Sequence, residues 1–337
     1  MRLWPVGPVA HGGASPLPID LSASLNPLGP PPAARAAAER ARLERYPEAA
    51  AEALTEAAAR RHRVPREAVV PVPGASWGLW LTLVSALEPG ERCVGLGPCF
   101  GEYRRYAAIA GARYHEVTCP APDQRWDAAT LDAALGDAPE MCVLGNPANP
   151  AGTVVPASEL RALCDEHSRT TLVVDEAFAG FAPAGSSLID GELPPANAIV
   201  VRSLTKELAL PGLRMGYLVA VPERAAQLRG VLPAWPLGVP AVAAAAAGCE
   251  DLRHLEAGAA VARKHMQEIA GGLRRRGLAP LETDVNYLVC AAPDLETELA
   301  TRGVAVRDCG SLGLPGVIRI AAPRPSELAD VLRAIDG

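Results

Sequence analysis

The sequence predicts an α/β fold, in which a large domain built on a mostly parallel sheet is joined to a smaller α+β domain. Three features carry that expectation. After Pro73, short apolar runs alternate with longer amphipathic ones, the pattern of strands each followed by a crossover helix. The Pro-rich stretch Leu232-Pro233-Ala234-Trp235-Pro236 interrupts the alternation. Beyond it, long helical runs give way to short strands. Residues 31–230 are therefore assigned to the large domain, and residues 1–30 with 231–337 to an N-terminal arm and the small domain.

The first thirty residues are rich in Gly and Pro and end in Asn26-Pro27-Leu28-Gly29-Pro30-Pro31-Pro32, a poor segment for regular structure. Helices are expected over 33–43 and 48–63. Strands follow at 93–96, 114–117, 141–144, 171–174, 198–202 and 217–221, with helices between them. One of these covers 157–169, with Ser158 as its N-cap and Glu159 in its first turn. After the Pro-rich break come helical runs over 241–276 and strands at 287–291, 304–307 and 317–321.

The chain has 337 residues, a net charge of −6 and 49% hydrophobic residues, enough for a large core and unsuited to nucleic acid as the main partner. Its eight cysteines form no CxxC pair and lie mostly in apolar runs, which reads as packed thiols in a reducing cytoplasm, with no metal site. Pro5 breaks any N-terminal signal pattern, and the longest uncharged apolar run is too short to span a bilayer.

Lys206 is one of only two lysines beside thirty arginines. Arginine cannot act as an amine nucleophile, so a chain that has replaced nearly every lysine keeps one where the chemistry needs it. Lys264, in Arg263-Lys264-His265, sits on a polar helical stretch. Lys206 instead follows a strand in Ser203-Leu204-Thr205-Lys206, ahead of Pro211-Gly212-Leu213-Arg214-Met215-Gly216-Tyr217. Three more elements fall at strand ends, where open α/β sheets bind ligands: Asn146-Pro147-Ala148-Asn149-Pro150-Ala151-Gly152, Asp175-Glu176-Ala177-Phe178 and Gly74-Ala75-Ser76-Trp77-Gly78. A lysine for an aldehyde, a carboxylate for a pyridine nitrogen, and a helix start with hydroxyls and a guanidinium for a phosphate meet the requirements of pyridoxal 5'-phosphate.

On these motifs the chain resembles the fold-type I pyridoxal-phosphate enzymes of the aspartate aminotransferase superfamily, in the branch holding histidinol-phosphate aminotransferase and threonine-phosphate decarboxylase. The likeness runs from His11-Gly12-Gly13 to Arg319. It implies an aspartate-aminotransferase-like fold, with Lys206 as the Schiff-base lysine and Asp175 as partner of the pyridinium nitrogen. It also implies that Asn149 bonds the phenolic oxygen and Phe100 stacks on the ring, while Ala75, Ser76, Ser203 and Arg214 bind the phosphate. By the same likeness Tyr46 reaches the phosphate of a neighbouring subunit in a homodimer. Arg319 grips a substrate carboxylate, and His11, Asn26 and Arg307 lie near the substrate, a small and phosphorylated amino acid.

Four pieces resemble the threonine-phosphate decarboxylases of cobalamin biosynthesis most: His11-Gly12-Gly13, the run from Asp20 to Gly29, Asp175-Glu176-Ala177-Phe178, and Val306-Arg307-Asp308-Cys309. They set the expectation of a cytoplasmic lyase, with a histidinol-phosphate-type aminotransferase as the alternative. The family pattern is departed from at Ala151 (usually Thr), at Trp77 (commonly acidic), at Phe178 (often Tyr), and at Pro323-Arg324-Pro325, where the basic residues are displaced. Ordinary structural roles compete at several positions: a turn cap for Asp175, a core ring for Phe100, a surface turn for Tyr46, an internal ion pair for Arg319, an exposed terminus for His11.

Two other motifs point elsewhere. Gly74-Ala75-Ser76-Trp77-Gly78 fits the G-x-S-x-G elbow of α/β-hydrolases, with Ser76 as nucleophile, but Pro71 and Pro73 are expected to interrupt the strand that must precede it. The run from Gly95 to Gly101 resembles a dinucleotide loop, with its last glycine one residue late.

Overall fold

The computed structural model describes residues 7–119 and 125–337. In chain order, β1 (Ile19–Asp20) precedes α1 (Pro32–Glu39) and α2 (Glu52–His62), then β2 (Val69–Val72), α3 (Ala75–Ala86), β3 (Arg92–Gly97), α4 (Glu102–Ala110) and β4 (Arg113–Thr118). Next come α5 (Ala128–Leu135), β5 (Met141–Gly145), α6 (Ala157–Glu166), β6 (Thr171–Asp175), β7 (Ala198–Ser203), the single turn α7 (Leu204–Glu207), β8 (Gly216–Val219) and α8 (Pro222–Gly230). The C-terminal part holds α9 (Val239–Glu250), α10 (Leu252–Arg275), β9 (Pro280–Leu281), β10 (Tyr287–Ala291), α11 (Leu295–Thr301), β11 (Val304–Ala305), β12 (Arg307–Asp308), β13 (Val317–Ala321) and α12 (Leu328–Asp336).

Strands β2 to β8 form one seven-stranded sheet in the order β2-β8-β7-β6-β5-β3-β4. The pairs β4–β3, β3–β5, β5–β6 and β6–β7 are parallel, and β8 runs against both its neighbours. Both faces are buried, and side-chain alternation divides them. Leu172, Val174, Ala198 and Val200 join the core under α2, α6 and α9. Val173, Ile199 and Val201 join the core under α3 and α4. The same alternation decides which way each residue at the strand ends points. The small domain packs α10 and α12 on the antiparallel sheet β12-β13-β10-β9. The N-terminal segment reaches it through β1, which pairs in parallel with β11.

Several elements differ from expectation. Val69–Val72 is a strand despite Pro71. It lies at the sheet edge, paired only with β8, where a missing N–H on the outer side costs no ladder bond. Helix α6 is capped by Pro156, not Ser158; Pro156 has the extended backbone of an entry residue, with φ −55° and ψ 141°. The run expected at 304–307 is divided between β11 and β12, which pair with different sheets. Beyond the Pro-rich break, α9 lies in the large domain's core beside α1 and α2, so the small-domain core takes up the chain at α10. Its near-continuous Ala run, Ala243-Ala244-Ala245-Ala246-Ala247, permits that close approach. All eight cysteines are buried, and burial pushes the Cys93 thiol up to about 12 and Cys249 to about 11. Among the described residues no helix is long and apolar enough to cross a membrane.

Candidate active site

A cavity of about 290 Å³ opens at the C-terminal ends of β5, β6 and β7. Eleven of the thirteen residues singled out from the sequence line it: His11, Ala75, Ser76, Phe100, Asn149, Asp175, Ser203, Lys206, Arg214, Arg307 and Arg319.

Lys206 stands on α7, directly after β7. Burial drives its ammonium towards the neutral amine, helped by Arg319 and Arg214 and opposed by Asp175, and lowers its pKa to about 8. Its Nζ is 5.9 Å from the centroid of the Phe178 ring. Asp175 ends β6 and is buried. One carboxylate oxygen accepts the Tyr103 hydroxyl at 2.8 Å, the other the Ala177 N–H at 3.1 Å. Burial outweighs both contacts and raises its pKa to about 6. A buried carboxylate beside a free cavity is poised to gain from a cation placed against it.

The start of α3 forms an anion cup. Gly74 caps the helix with φ 87° and leaves the first turn without a side-chain cap, so the Ala75 and Ser76 N–H groups face outward. A Cβ on Gly74 would lie 2.8 Å from the Arg214 guanidinium, which overhangs the turn. Ser203 and Thr205 exchange a hydroxyl bond of 2.8 Å at the same strand end. Gly216 closes the cup from below: a Cβ there would lie 2.5 Å from the Arg202 carbonyl oxygen and 3.0 Å from the Ala75 nitrogen.

Arg319, on β13, is buried among small-domain residues and donates to the Asn149 side-chain oxygen and, at 2.8 Å, to the Ser22 carbonyl. Its guanidinium lies 5.2 Å from the Tyr287 ring centroid. Its Nε is buried without a partner among the described residues, a donor available to an anion. Arg307 donates to the Ala10 carbonyl at 2.7 Å and to Ser311 at 2.8 Å. His11 bonds the buried Glu102 at 2.9 Å and lies against Phe100, ring centroids 5.6 Å apart. The N-terminal arm thus crosses the cavity mouth pinned at Ala10 and His11.

Two singled-out residues lie elsewhere. Asn26 is buried, but its amide is consumed by the chain: Nδ2 donates to the Glu207 carbonyl at 3.0 Å, and Oδ1 accepts the Leu28 N–H at 3.0 Å. It is thereby removed from the substrate side, and its role is to tie the N-terminal segment to α7. Tyr46 is 81% exposed and stacks on Trp235 at 4.8 Å, outside its own chain's cavity. Tyr103 was missed. Its signal was its place in the first turn of α4, close behind Phe100, whose ring centroid lies 5.8 Å from its own. The hydrolase alternative lacks a base among the described residues. Its preceding strand does exist, but Ser76 Oγ bonds the Tyr106 hydroxyl at 2.7 Å, and burial raises that phenol to about 12.

These residues fit the cofactor implied by the resemblance: a buried amine of low basicity, a buried carboxylate of raised pKa, an uncapped helix start under a guanidinium, and an orphaned arginine donor. A seven-stranded sheet with this site at its strand ends defines a fold-type I enzyme of the aminotransferase class. The chain belongs to the family Aminotransferase class I and II, which it matches over residues 17–335. It is 32% identical to a histidinol-phosphate aminotransferase of Symbiobacterium thermophilum, covering 92% of this chain and 87% of that one. It is 35% identical to another of Halorubrum lacusprofundi, covering 90% and 84%. Among solved structures, the histidinol-phosphate aminotransferase of Clostridium acetobutylicum shares the fold with a TM-score of 0.85, at 22% identity and with 95% and 98% of the two chains covered. That of Sinorhizobium meliloti, solved with pyridoxal-5'-phosphate, gives 0.83 at 24% identity, covering 93% and 88%.

Proposed function

We propose that the protein is a pyridoxal 5'-phosphate-dependent aminotransferase that moves an amino group between an anionic amine of the histidinol-phosphate type and a 2-oxo acid. The observation that carries this reading is the convergence of Lys206, Asp175, Arg307 and Arg319 on one cavity. When bound, the cofactor supplies an electron sink that makes the bonds at the substrate α-carbon labile. Lys206 Nζ would hold the cofactor aldehyde and would carry a proton to and from the substrate α-carbon. Its pKa of about 8 leaves a useful fraction of free amine near neutral pH. Asp175 keeps the pyridine nitrogen protonated. Arg319 and Arg307 orient the substrate anion, and because Arg319 also holds Asn149, substrate and cofactor are oriented by one hydrogen-bonded unit.

The decarboxylase expected from the sequence is the second reading. Phe178 favours it, since the position three residues after Asp175 offers no hydroxyl to the cofactor. The names of the relatives favour amino transfer. Purified protein incubated with histidinol phosphate and 2-oxoglutarate is expected to yield glutamate by mass spectrometry. Carbon dioxide and aminopropanol phosphate from threonine phosphate alone would replace this reading with the second. Lys206→Ala is expected to lose all borohydride-stabilised labelling by the cofactor; a label that persists on Lys264 would overturn the site.

A further inference from the structure

Behind the cavity lies a chain of buried ion pairs that the reaction itself does not use. At the end of β6, Asp175 points into the cavity, so its neighbour Glu176 points to the opposite face of the sheet. At the end of β7 the same alternation sends Ser203 to the cavity and Arg202 away from it. On α7, Lys206 lines the cavity and Glu207 does not. The three residues turned away meet one another: Arg202 donates to Glu176 at 3.0 Å and to Glu207 at 2.7 Å. Arg61, from α2, donates to the second Glu207 oxygen at 2.6 Å. Glu176 also accepts the Ser187 hydroxyl at 2.7 Å and the Leu188 N–H at 2.8 Å.

Arg202, Glu176 and Glu207 are each 3% exposed or less. Burial works against the Glu207 charge, but Arg61 and Arg202 outweigh it and hold its pKa below the ordinary value. There is no slack around it, since a Cβ on Gly180 would lie 2.5 Å from the Glu207 carboxyl carbon. The single turn α7 is held from the other side as well. Asn26 N–H donates to the Lys206 carbonyl at 2.9 Å, and Asn26 Nδ2 to that of Glu207. A one-turn helix has too few internal hydrogen bonds to fix itself.

We propose that Arg202, by bridging Glu176 and Glu207, is a positioning residue that sets Lys206 relative to Asp175 across the β6–β7 strand ends. Each acidic residue follows a site residue in sequence, so the guanidinium fixes the spacing of Asp175 and Lys206 through one peptide unit on each side. A planar fork can satisfy two carboxylates at fixed angles, whereas a single ammonium cannot. The inference rests on Lys206 being the cofactor lysine. Its test reads Lys206 in the cofactor-free protein, so the two can fail separately: loss of the assignment shows in the borohydride labelling of Lys206→Ala.

The experiment is competitive acetylation of the cofactor-free protein across pH, resolved by peptide mass mapping, with Lys264 as internal reference. Arg202→Lys keeps the charge and loses the fork. Because burial is the first cause of the depressed Lys206 pKa, a slackened α7 that admits water is expected to raise it by about one unit while Lys264 does not move. In the loaded enzyme, kcat is expected to fall about tenfold or more with KM changed less than about twofold. A purely structural role would lower the melting temperature and leave both readings where they were; that result overturns the proposal. Should Arg202→Lys not fold, Arg61→Lys at the outer end of the chain of ion pairs is read the same way. A smaller shift in the same direction supports the proposal, and an unmoved Lys206 defeats it.

Discussion

Lys206 and Asp175 are both buried, and burial works against both their charges more strongly than their mutual attraction favours them. For Lys206 the consequence is kinetic. Only the free amine attacks an aldehyde, so the rate of cofactor capture is expected to rise with pH through about 8 and then level off, where an ordinary lysine would keep rising towards 10.5. A rate that climbs past pH 10 would show that the amine is solvated. For Asp175 the consequence is a stability slope. Its pKa is raised from 3.8 to about 6 in the folded state, so between those values the folded protein holds a proton that the unfolded chain releases. Its contribution therefore declines as pH rises through that window. Asp175→Asn removes the slope. The parent is expected to lose stability relative to this variant from about pH 4 to about pH 6 in cofactor-free thermal melts, while turnover of the variant falls about a hundredfold or more. Turnover within a few-fold of the parent would reduce Asp175 to a structural group. Both residues were legible in the sequence because scarcity and strand-end placement mark them. Tyr103 was not, because its role depends on a helix from another part of the chain folding over the end of β6.

At the scale of elements, the site depends on how closely β8 approaches the start of α3. Gly216 makes that approach possible, and the atoms a Cβ would meet are main-chain atoms that cannot rotate away. Gly216→Ala is expected to cost about 1–3 kcal/mol in stability and to weaken cofactor binding at least tenfold, measured by denaturant unfolding and by cofactor titration. Gly212→Ala is the control, since nothing lies within 4 Å of its Cβ position and its φ is not in the left-handed region; it is expected to be neutral within about 0.5 kcal/mol. Equal behaviour of the two would show that the approach carries no strain. The central strands β3, β5, β6 and β7 were legible as apolar runs because both faces of a parallel sheet are buried there. Strand β2 was hidden by Pro71, since a proline argues against a strand unless its outer edge is known to be unpaired. The partition of α9 was equally hidden. Its Ala-rich sequence marks a helix in close contact but not the partner it contacts, and α1 and α2 lie some two hundred residues earlier.

At the scale of the whole molecule, the one singled-out aromatic that misses its own cavity is the residue assigned to a second subunit. Tyr46 lies on the surface against Trp235, with Leu43 77% exposed nearby in sequence. Three large apolar side chains facing water are costly to leave uncovered, and a twofold interface would cover all three on both subunits. We therefore expect a homodimer in which Tyr46 of each chain completes the phosphate cup of the other. Mixing two inactive variants tests this. When Lys206→Ala is refolded with Tyr46→Ala, the chain that keeps Lys206 receives an intact Tyr46 from its partner, so one good site per heterodimer is expected and up to a quarter of parent activity in an equal mixture. When Lys206→Ala is refolded with Asp175→Asn, both lesions belong to residues that serve their own chain's cavity, each site keeps one defect, and no recovery is expected. Recovery in the first mixture and none in the second places Tyr46 across the interface. A protein that sediments as a monomer while active at assay concentration, or a Tyr46→Ala variant with parent activity, would leave Tyr46 a surface residue and the dimer without a part in the site.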